Sequence, residues 1–269
     1  MPEAFSGDTV VVIFDKTPFY ATSGGQTHDI GSISADGFTG EVISVDKDAS
    51  GKFLSTIRIC DGAIRQGQTL IQKVDADRRL STARHHTTTH ILQKALRDVL
   101  GDHVEQAGSL VSDERLRFDF THFQAITPDE LESIENQVNE VILRDEPVVT
   151  RVMTPDQARA MGAMALFGEK YGDTVRVITV GTQEAPYSME LCGGTHLTHA
   201  GQAGMFRILS ESGIASGVRR IEAVTGRSAI AVAKSEHDII KEMGAILKAT
   251  PDQIAKKVLG MAAEIRSLE

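Results

Sequence analysis

Two short segments constrain this chain more than anything else in it: His86-Thr87-Thr88-Thr89-His90 and, about a hundred residues later, Cys192-Gly193-Gly194-Thr195-His196. Residues four apart lie on one face of a helix, one above the other. The flanks of the first segment predict that helix. Asp75 or Asp77 is placed to cap it, Ile91, Leu92, Ala95, Leu96 and Val99 give an apolar stripe, and Gly101 stops it. Two imidazoles on one face can bind one divalent ion, and Cys192 with His196 completes a His, His, Cys, His set, tetrahedral and zinc-like. Either pair alone is a weak signal, because such pairs are commonly exposed or satisfied histidines. The metal expectation rests on finding both in one chain, the second beside glycines that let backbone pack closely. Position 87 is Thr where the HExxH metalloprotease motif needs its Glu base, so that chemistry is not expected.

Composition excludes several classes. The chain has 269 residues, 41% hydrophobic and 24% charged, enough for one large or two ordinary domains with a proper core. No apolar run approaches the ~18 residues of a membrane span, and no secretory h-region follows Met1. Two cysteines, Cys60 and Cys192, cannot support a disulfide framework, so a reducing, cytoplasmic setting is expected. A net charge of −9 argues against nucleic-acid binding driven by bulk charge. A local basic surface is still open at Arg78, Arg79, Arg84, Arg219 and Arg220, although solvated helix and strand faces explain such residues equally well. No P-loop or dinucleotide fingerprint occurs, so no nucleotide cofactor is expected.

The predicted fold class is α+β. Residues 1–75 read as short strands punctuated by Ser23-Gly24-Gly25-Gln26 and Asp36-Gly37, with spacing that predicts a small β-barrel. Residues 76–228 read as a two-layer α+β domain. It holds the His-pair helix, a hairpin over 108–120, helices opening at Thr127-Pro128 and Thr154-Pro155, and strands over 148–153, 174–180, 205–210 and 217–224. Residues 229–269 read as helical, a hairpin or the start of a coiled coil, which predicts a monomer or weak dimer.

Several motifs together carry a family resemblance. His86 to His90, His103-Val-Glu-Gln106-Ala-Gly-Ser-Leu-Val111, Leu116-Arg-Phe-Asp-Phe120 and Cys192 to His196 resemble the editing domain of alanyl-tRNA synthetases. Thr17-Pro-Phe-Tyr-Ala-Thr-Ser-Gly-Gly-Gln26, Gly162 to Tyr171 and Gly217 to Gly226 are similar to other segments of the same family. The resemblance implies hydrolysis of a mischarged ester, serine or glycine on the acceptor end of an alanine tRNA. It implies zinc held by His86, His90, Cys192 and His196. It also implies Thr89 and Gln106 in the amino-acid pocket, and Gln26 and Arg219 toward the substrate or the tRNA end. From the residues alone, Thr89 equally reads as a helix threonine bonding its own backbone and Gln106 as an exposed loop amide. His85 departs from the family's usual Asn, as an exposed helical histidine, a supporting group or a rival ligand. A freestanding trans-editing deacylase and a non-catalytic, zinc-stabilised tRNA-binding module are the competing expectations.

Overall fold

The computed structural model describes residues 3–164 and 172–268. Seven positions of the Gly162–Tyr171 motif, 165–171, lie outside the described residues. The N-terminal strands are β1 (Glu3–Phe5), β2 (Thr9–Val12), β3 (Gly31–Ala35), β4 (Phe38–Lys47), β5 (Phe53–Arg65) and β6 (Ile71–Val74). Period-two alternation drives them: Phe38, Gly40 and Val42 of β4 face inward while Thr39 and Glu41 face water. All pairings are antiparallel, in the order β1-β5-β4-β3-β6, with β2 also on β5.

Among the described residues this sheet does not close into the small barrel expected from the sequence. Closure would need a ladder between β6 and the segment that follows β2. That segment carries Pro18, which has no N–H to donate. Side chains take the place of the ladder: Gln72 of β6 donates to the Lys16 carbonyl at 2.8 Å and accepts from the Thr17 hydroxyl at 2.9 Å. A cavity of about 830 Å³, lined by β2 and the β5–β6 turn, lies at this open seam.

Helix α1 (Ala76–Leu100) begins where the Asp75 side chain accepts from the Arg78 N–H, and ends at Gly101, whose φ of 112° suits glycine. Then come β7 (Gln106–Val111), β8 (Leu116–Thr121), α2 (Pro128–Leu143), β9 (Val148–Met153), α3 (Pro155–Ala160), β10 (Val175–Gly181), β11 (Pro186–Leu191), a 3-10 turn at Ala200–Ala203, β12 (Phe206–Ala215) and β13 (Val218–Thr225). Thr127 and Thr154 each form a reciprocal capping box, with Pro at the first helical position, so α2 and α3 start where the sequence predicts.

The α+β class holds, with strands β7 to β13 divided between two antiparallel sheets, β11-β10-β9 and β12-β13-β8-β7. One core joins Ile91, Leu92 and Leu96 of α1 to Phe118 and Phe120 of β8, Val138 of α2, Ile178 of β10 and Ile221 of β13. The N-terminal sheet has its own core around Phe19, Phe38, Val45 and Ile57. Met1–Gly226 nevertheless forms one compact unit, and Arg227–Glu269 forms another.

The second unit carries α4 (Gly226–Leu247) and α5 (Pro251–Leu268). Lys248 reverses the chain at φ 49°, and the Lys257 ammonium donates to the Leu247 and Lys248 carbonyls at 2.7 and 2.9 Å. That cation at a helix C-terminus satisfies carbonyls the helix leaves unpaired. No described helix is long and apolar enough to cross a membrane.

Candidate metal centre

His86 and His90 leave α1 on one face, and the loop after β11 brings Cys192 and His196 against them. One ligand atom from each of the four lies within 4.8 Å of all the others. The Cys192 sulfur is 3.3 Å from His86 Nε2 and 3.2 Å from His196 Nε2. An ion bound tetrahedrally at ~2.1 Å by nitrogen and ~2.3 Å by sulfur has nitrogen–sulfur edges of about 3.5 Å. The cluster is therefore close to the size such an ion needs.

All three imidazoles are turned the same way. Gln26 Oε1 accepts a hydrogen bond from the Thr195 N–H at 2.8 Å, so the atom there is an oxygen. The same oxygen is 2.7 Å from His86 Nδ1, which must then carry its proton and leave the Nε2 lone pair facing inward. His90 Nδ1 donates to Glu190 Oε2 at 2.6 Å, and the Ser188 hydroxyl donates to the other oxygen of that carboxylate. His196 Nδ1 donates to the Thr87 hydroxyl oxygen at 3.2 Å, which also accepts from the Leu197 N–H. Metal-binding histidines are typically held in this way, one ring nitrogen on an outer partner and the other free for the ion. His90 Nε2 is buried without a hydrogen-bond partner, as a nitrogen meant for a metal ion would be.

The charges fit the same purpose. Burial alone would raise the Cys192 pKa. The close approach of His86, 3.3 Å away, and of His196 outweighs it and holds the group far below the ordinary thiol range, as a thiolate. Burial, then His86, pushes His196 down to about 3, so it is neutral. Burial opposes charge on His90 as well, but the Glu190 carboxylate raises that group well above its usual value, so a bound ion takes the place of the proton on Nε2. Close packing shields the centre: a Cβ on Gly194 would lie 2.0 Å from His86 Cε1. The donor set, the unpartnered His90 nitrogen and this tight cradle together fit a divalent metal ion.

The loop is gripped from several sides. Arg176 of β10 bonds the Gly194 carbonyl, while Gln26 and Thr87 take the Thr195 and Leu197 N–H groups. Gln26 itself arrives on a strap whose tight Ser23–Gln26 turn has Gly24 and Gly25 at φ 55° and 81°. The strap pairs with the end of β7: Thr27 N–H donates to the Val111 carbonyl and Val111 N–H to the Gly25 carbonyl, at 2.9 and 2.8 Å. It is anchored to α1 through Arg79, which binds Asp29 and the Pro18 carbonyl.

The other sequence candidates are placed as follows. Thr89 is buried beside His90 and donates to the His85 carbonyl at 2.8 Å, so its proton is committed to the helix while its oxygen can still accept. Gln106 is half-buried at the start of β7 and donates to the Ser109 hydroxyl at 3.2 Å. Arg219 is clamped by both oxygens of Glu211, which raises its pKa. The other four arginines are also held within the chain, Arg78 by Asp113, Arg79 by Asp29, Arg84 by the Gln202 carbonyl and Arg220 by Asp119. His85 is neither exposed nor a ligand. It is 1% exposed, with Nδ1 donating to the Ser112 carbonyl and Nε2 accepting from the Thr225 N–H, and burial pushes its pKa down to about 4. Glu190 and Thr87, which orient two of the ligands, were not singled out from the sequence. The only local hint was position: Thr87 lies inside the first ligand segment and Glu190 two residues before the second.

Comparison with known proteins shows what the chain is similar to. A family described as the threonyl and alanyl tRNA synthetase second additional domain matches residues 175–222, and one described as class II (A) tRNA synthetases matches residues 1–78. Both matched families are families of tRNA synthetases. The chain is 51% identical over 267 residues to an alanine–tRNA ligase of Acetivibrio thermocellus, covering 99% of this chain and 30% of the relative. It is 48% identical over 258 residues to that of Lawsonia intracellularis, covering 96% and 29%, and 46% identical over 265 residues to alanine–tRNA ligase 1 of Lachnoclostridium phytofermentans, covering 98% and 30%. The chain belongs with the alanyl-tRNA synthetases, fits their editing region, and spans about 30% of the length of these relatives.

Proposed function

We propose that this chain hydrolyses mischarged alanine tRNA, releasing serine or glycine from the acceptor end, with zinc held by His86, His90, Cys192 and His196. The observation that carries the proposal is the cluster itself, in a chain similar along 99% of its length to an alanine–tRNA ligase. In this reading residues 1–75, 76–228 and 229–269 act as a supporting sheet domain, the editing domain and a helical segment. Bound zinc would supply Lewis acidity, polarising and orienting the ester or its attacking water. The chain's own residues do the rest. Glu190, Thr87 and Gln26 hold protons on the outer nitrogens of the three imidazoles. The Thr89 oxygen accepts a hydrogen bond from the serine hydroxyl, and the Gln106 amide lines the same pocket. Arg219, with Glu211, braces the sheet edge that faces the tRNA end.

Incubating the purified chain with seryl-, glycyl- and alanyl-tRNA(Ala) tests this. Fast release from the seryl form, slower release from the glycyl form and near-inertness of the alanyl form are expected. Cys192→Ala should weaken metal binding and abolish or severely cut hydrolysis. Four protein donors leave no open position on a tetrahedral ion, which favours a second reading: a structural zinc in a tRNA-binding module. Tight tRNA binding with no deacylation would select that reading.

A further inference from the structure

We infer that Gln26 is a positioning residue for the metal centre, a single amide oxygen that fixes the orientation of His86 and joins the two halves of the site. The inference rests on the cluster being a metal site.

The two ligand pairs come from separate parts of the chain, His86 and His90 from α1 and Cys192 and His196 from the loop after β11. Gln26 Oε1 touches both parts, accepting from His86 Nδ1 at 2.7 Å and from the Thr195 N–H at 2.8 Å. The residue is 1% exposed. A contact of this kind, buried and between two fixed donors, does not exchange with water. Its consequence for His86 is specific. A neutral imidazole has one protonated nitrogen, and an acceptor at Nδ1 places the proton there, so Nε2 is the nitrogen that faces the Cys192 sulfur. Without the acceptor both tautomers and other ring rotations become accessible, and the ligand must be ordered again each time an ion binds.

The remaining contacts explain why the acceptor comes from the N-terminal sheet region. The loop around Thr195 packs closely on both partners: a Cβ on Gly194 would lie 2.3 Å from His86 Nδ1 and 2.7 Å from Gln26 Oε1. A strap entering from outside, pinned to β7 at Val111 and to α1 through Asp29 and Arg79, delivers the amide with its backbone already fixed. The N-terminal sheet region is thus a working part of the site. Its loop 23–27 supplies a contact that neither ligand segment has within itself.

The test uses the full chain and a readout independent of hydrolysis. Zinc affinity is measured by competition with a chromophoric chelator, and the ligand field is read from the visible spectrum of the cobalt(II)-loaded protein. Gln26→Leu removes the acceptor and should weaken zinc binding 10–100-fold, as expected for loss of an outer partner. It should also change the cobalt spectrum. Gln26→Glu keeps an acceptor oxygen at the same reach and should bind within a few-fold of the parent. Unchanged affinity and spectrum in Gln26→Leu, or equal losses in both variants, would overturn the inference while leaving the metal site and deacylation standing. A parent chain that binds neither zinc nor cobalt would overturn both. Should Gln26→Leu fail to fold, side-chain nitrogen NMR of the unsubstituted zinc-loaded chain decides. A protected proton on His86 Nδ1 with zinc on Nε2 supports the assignment, and zinc on Nδ1 overturns it.

Discussion

Gly24 and Gly25 are neighbours in one turn, both in the left-handed region, yet alanine should affect them very differently. An L-residue at such a φ costs about 1–2 kcal/mol, and both substitutions share that term. A Cβ on Gly24 meets nothing within 4 Å. A Cβ on Gly25 would lie 2.2 Å from the Ser109 hydroxyl and 2.8 Å from the Ser109 carbonyl oxygen. The hydroxyl can rotate, at the expense of its bond to Gln106, but the carbonyl belongs to β7 and cannot. The strap must therefore lift. Lifting breaks the two backbone bonds with Val111, each contributing about 0.5–1.5 kcal/mol. Gly25→Ala should thus cost about 2 kcal/mol more than Gly24→Ala. For a folded unit of this size, about 2–4 °C in Tm per kcal/mol makes that an extra drop of about 4–8 °C.

The assay is thermal unfolding followed by circular dichroism, together with zinc affinity on the same samples. Gly24→Ala should bind zinc like the parent. Gly25→Ala should bind more weakly, because Gln26 travels with the strap. Equal Tm losses and parent-like zinc binding in both variants would refute the close approach of the strap to Ser109.

Thr89→Val keeps the shape and removes the oxygen, so seryl-tRNA hydrolysis should fall more than glycyl-tRNA hydrolysis. Equal losses would show that Thr89 shapes the helix and does not read the hydroxyl. His85 is buried and neutral, with its pKa pushed down to about 4 against 6.5 in a free imidazole. Between those values the unfolded chain binds a proton that the fold refuses, so stability should fall as pH drops from 6.5 toward 4, by up to about 3 kcal/mol. Urea unfolding of metal-free protein at pH 7 and pH 5 should show a smaller acid loss for His85→Asn than for the parent, and identical losses would refute it.

Much of this was legible because it is local. Helix starts were readable from Thr127-Pro128 and Thr154-Pro155, whose caps involve residues three apart. The four ligands were readable because i, i+4 pairs are local too. Their outer partners were not, since Gln26 and Glu190 reach His86 and His90 from 60 and 100 positions away. The sequence leaves His85 open between an exposed residue, a supporting group and a ligand, because spacing along one helix does not say what packs on its far side. Helix α1 is enclosed: Thr82, Thr87 and Thr88 are buried like Leu92, and Thr82 and Thr87 find their hydrogen bonds inside the fold rather than in water. The barrel expectation overreached because strand spacing carries no information about closure. β11 escaped notice although Tyr187, Met189 and Leu191 alternate with Ser188 and Glu190, since its polar residues point at the site and are buried.

Removing the metal should leave the fold standing. A metal that organises a small domain is the folding energy of that domain, and chelation unfolds it. Here the ligands sit on elements that are secured without an ion. Helix α1 is fixed by a core including Ile91, Leu92, Leu96, Phe118 and Phe120, and the Cys192–His196 loop is gripped by Arg176, Gln26 and Thr87. Metal bound at about a thousandfold above its Kd adds about 4 kcal/mol by mass action, which for this size is about 8–16 °C in Tm. Treatment with a strong chelator should therefore lower Tm by no more than that range and leave the far-ultraviolet circular dichroism at 25 °C unchanged. Deacylation should be lost and should return on adding zinc. Collapse of the spectrum at 25 °C after chelation would mean that the three grips on the loop are consequences of the ion, and that the site does not exist in advance of it.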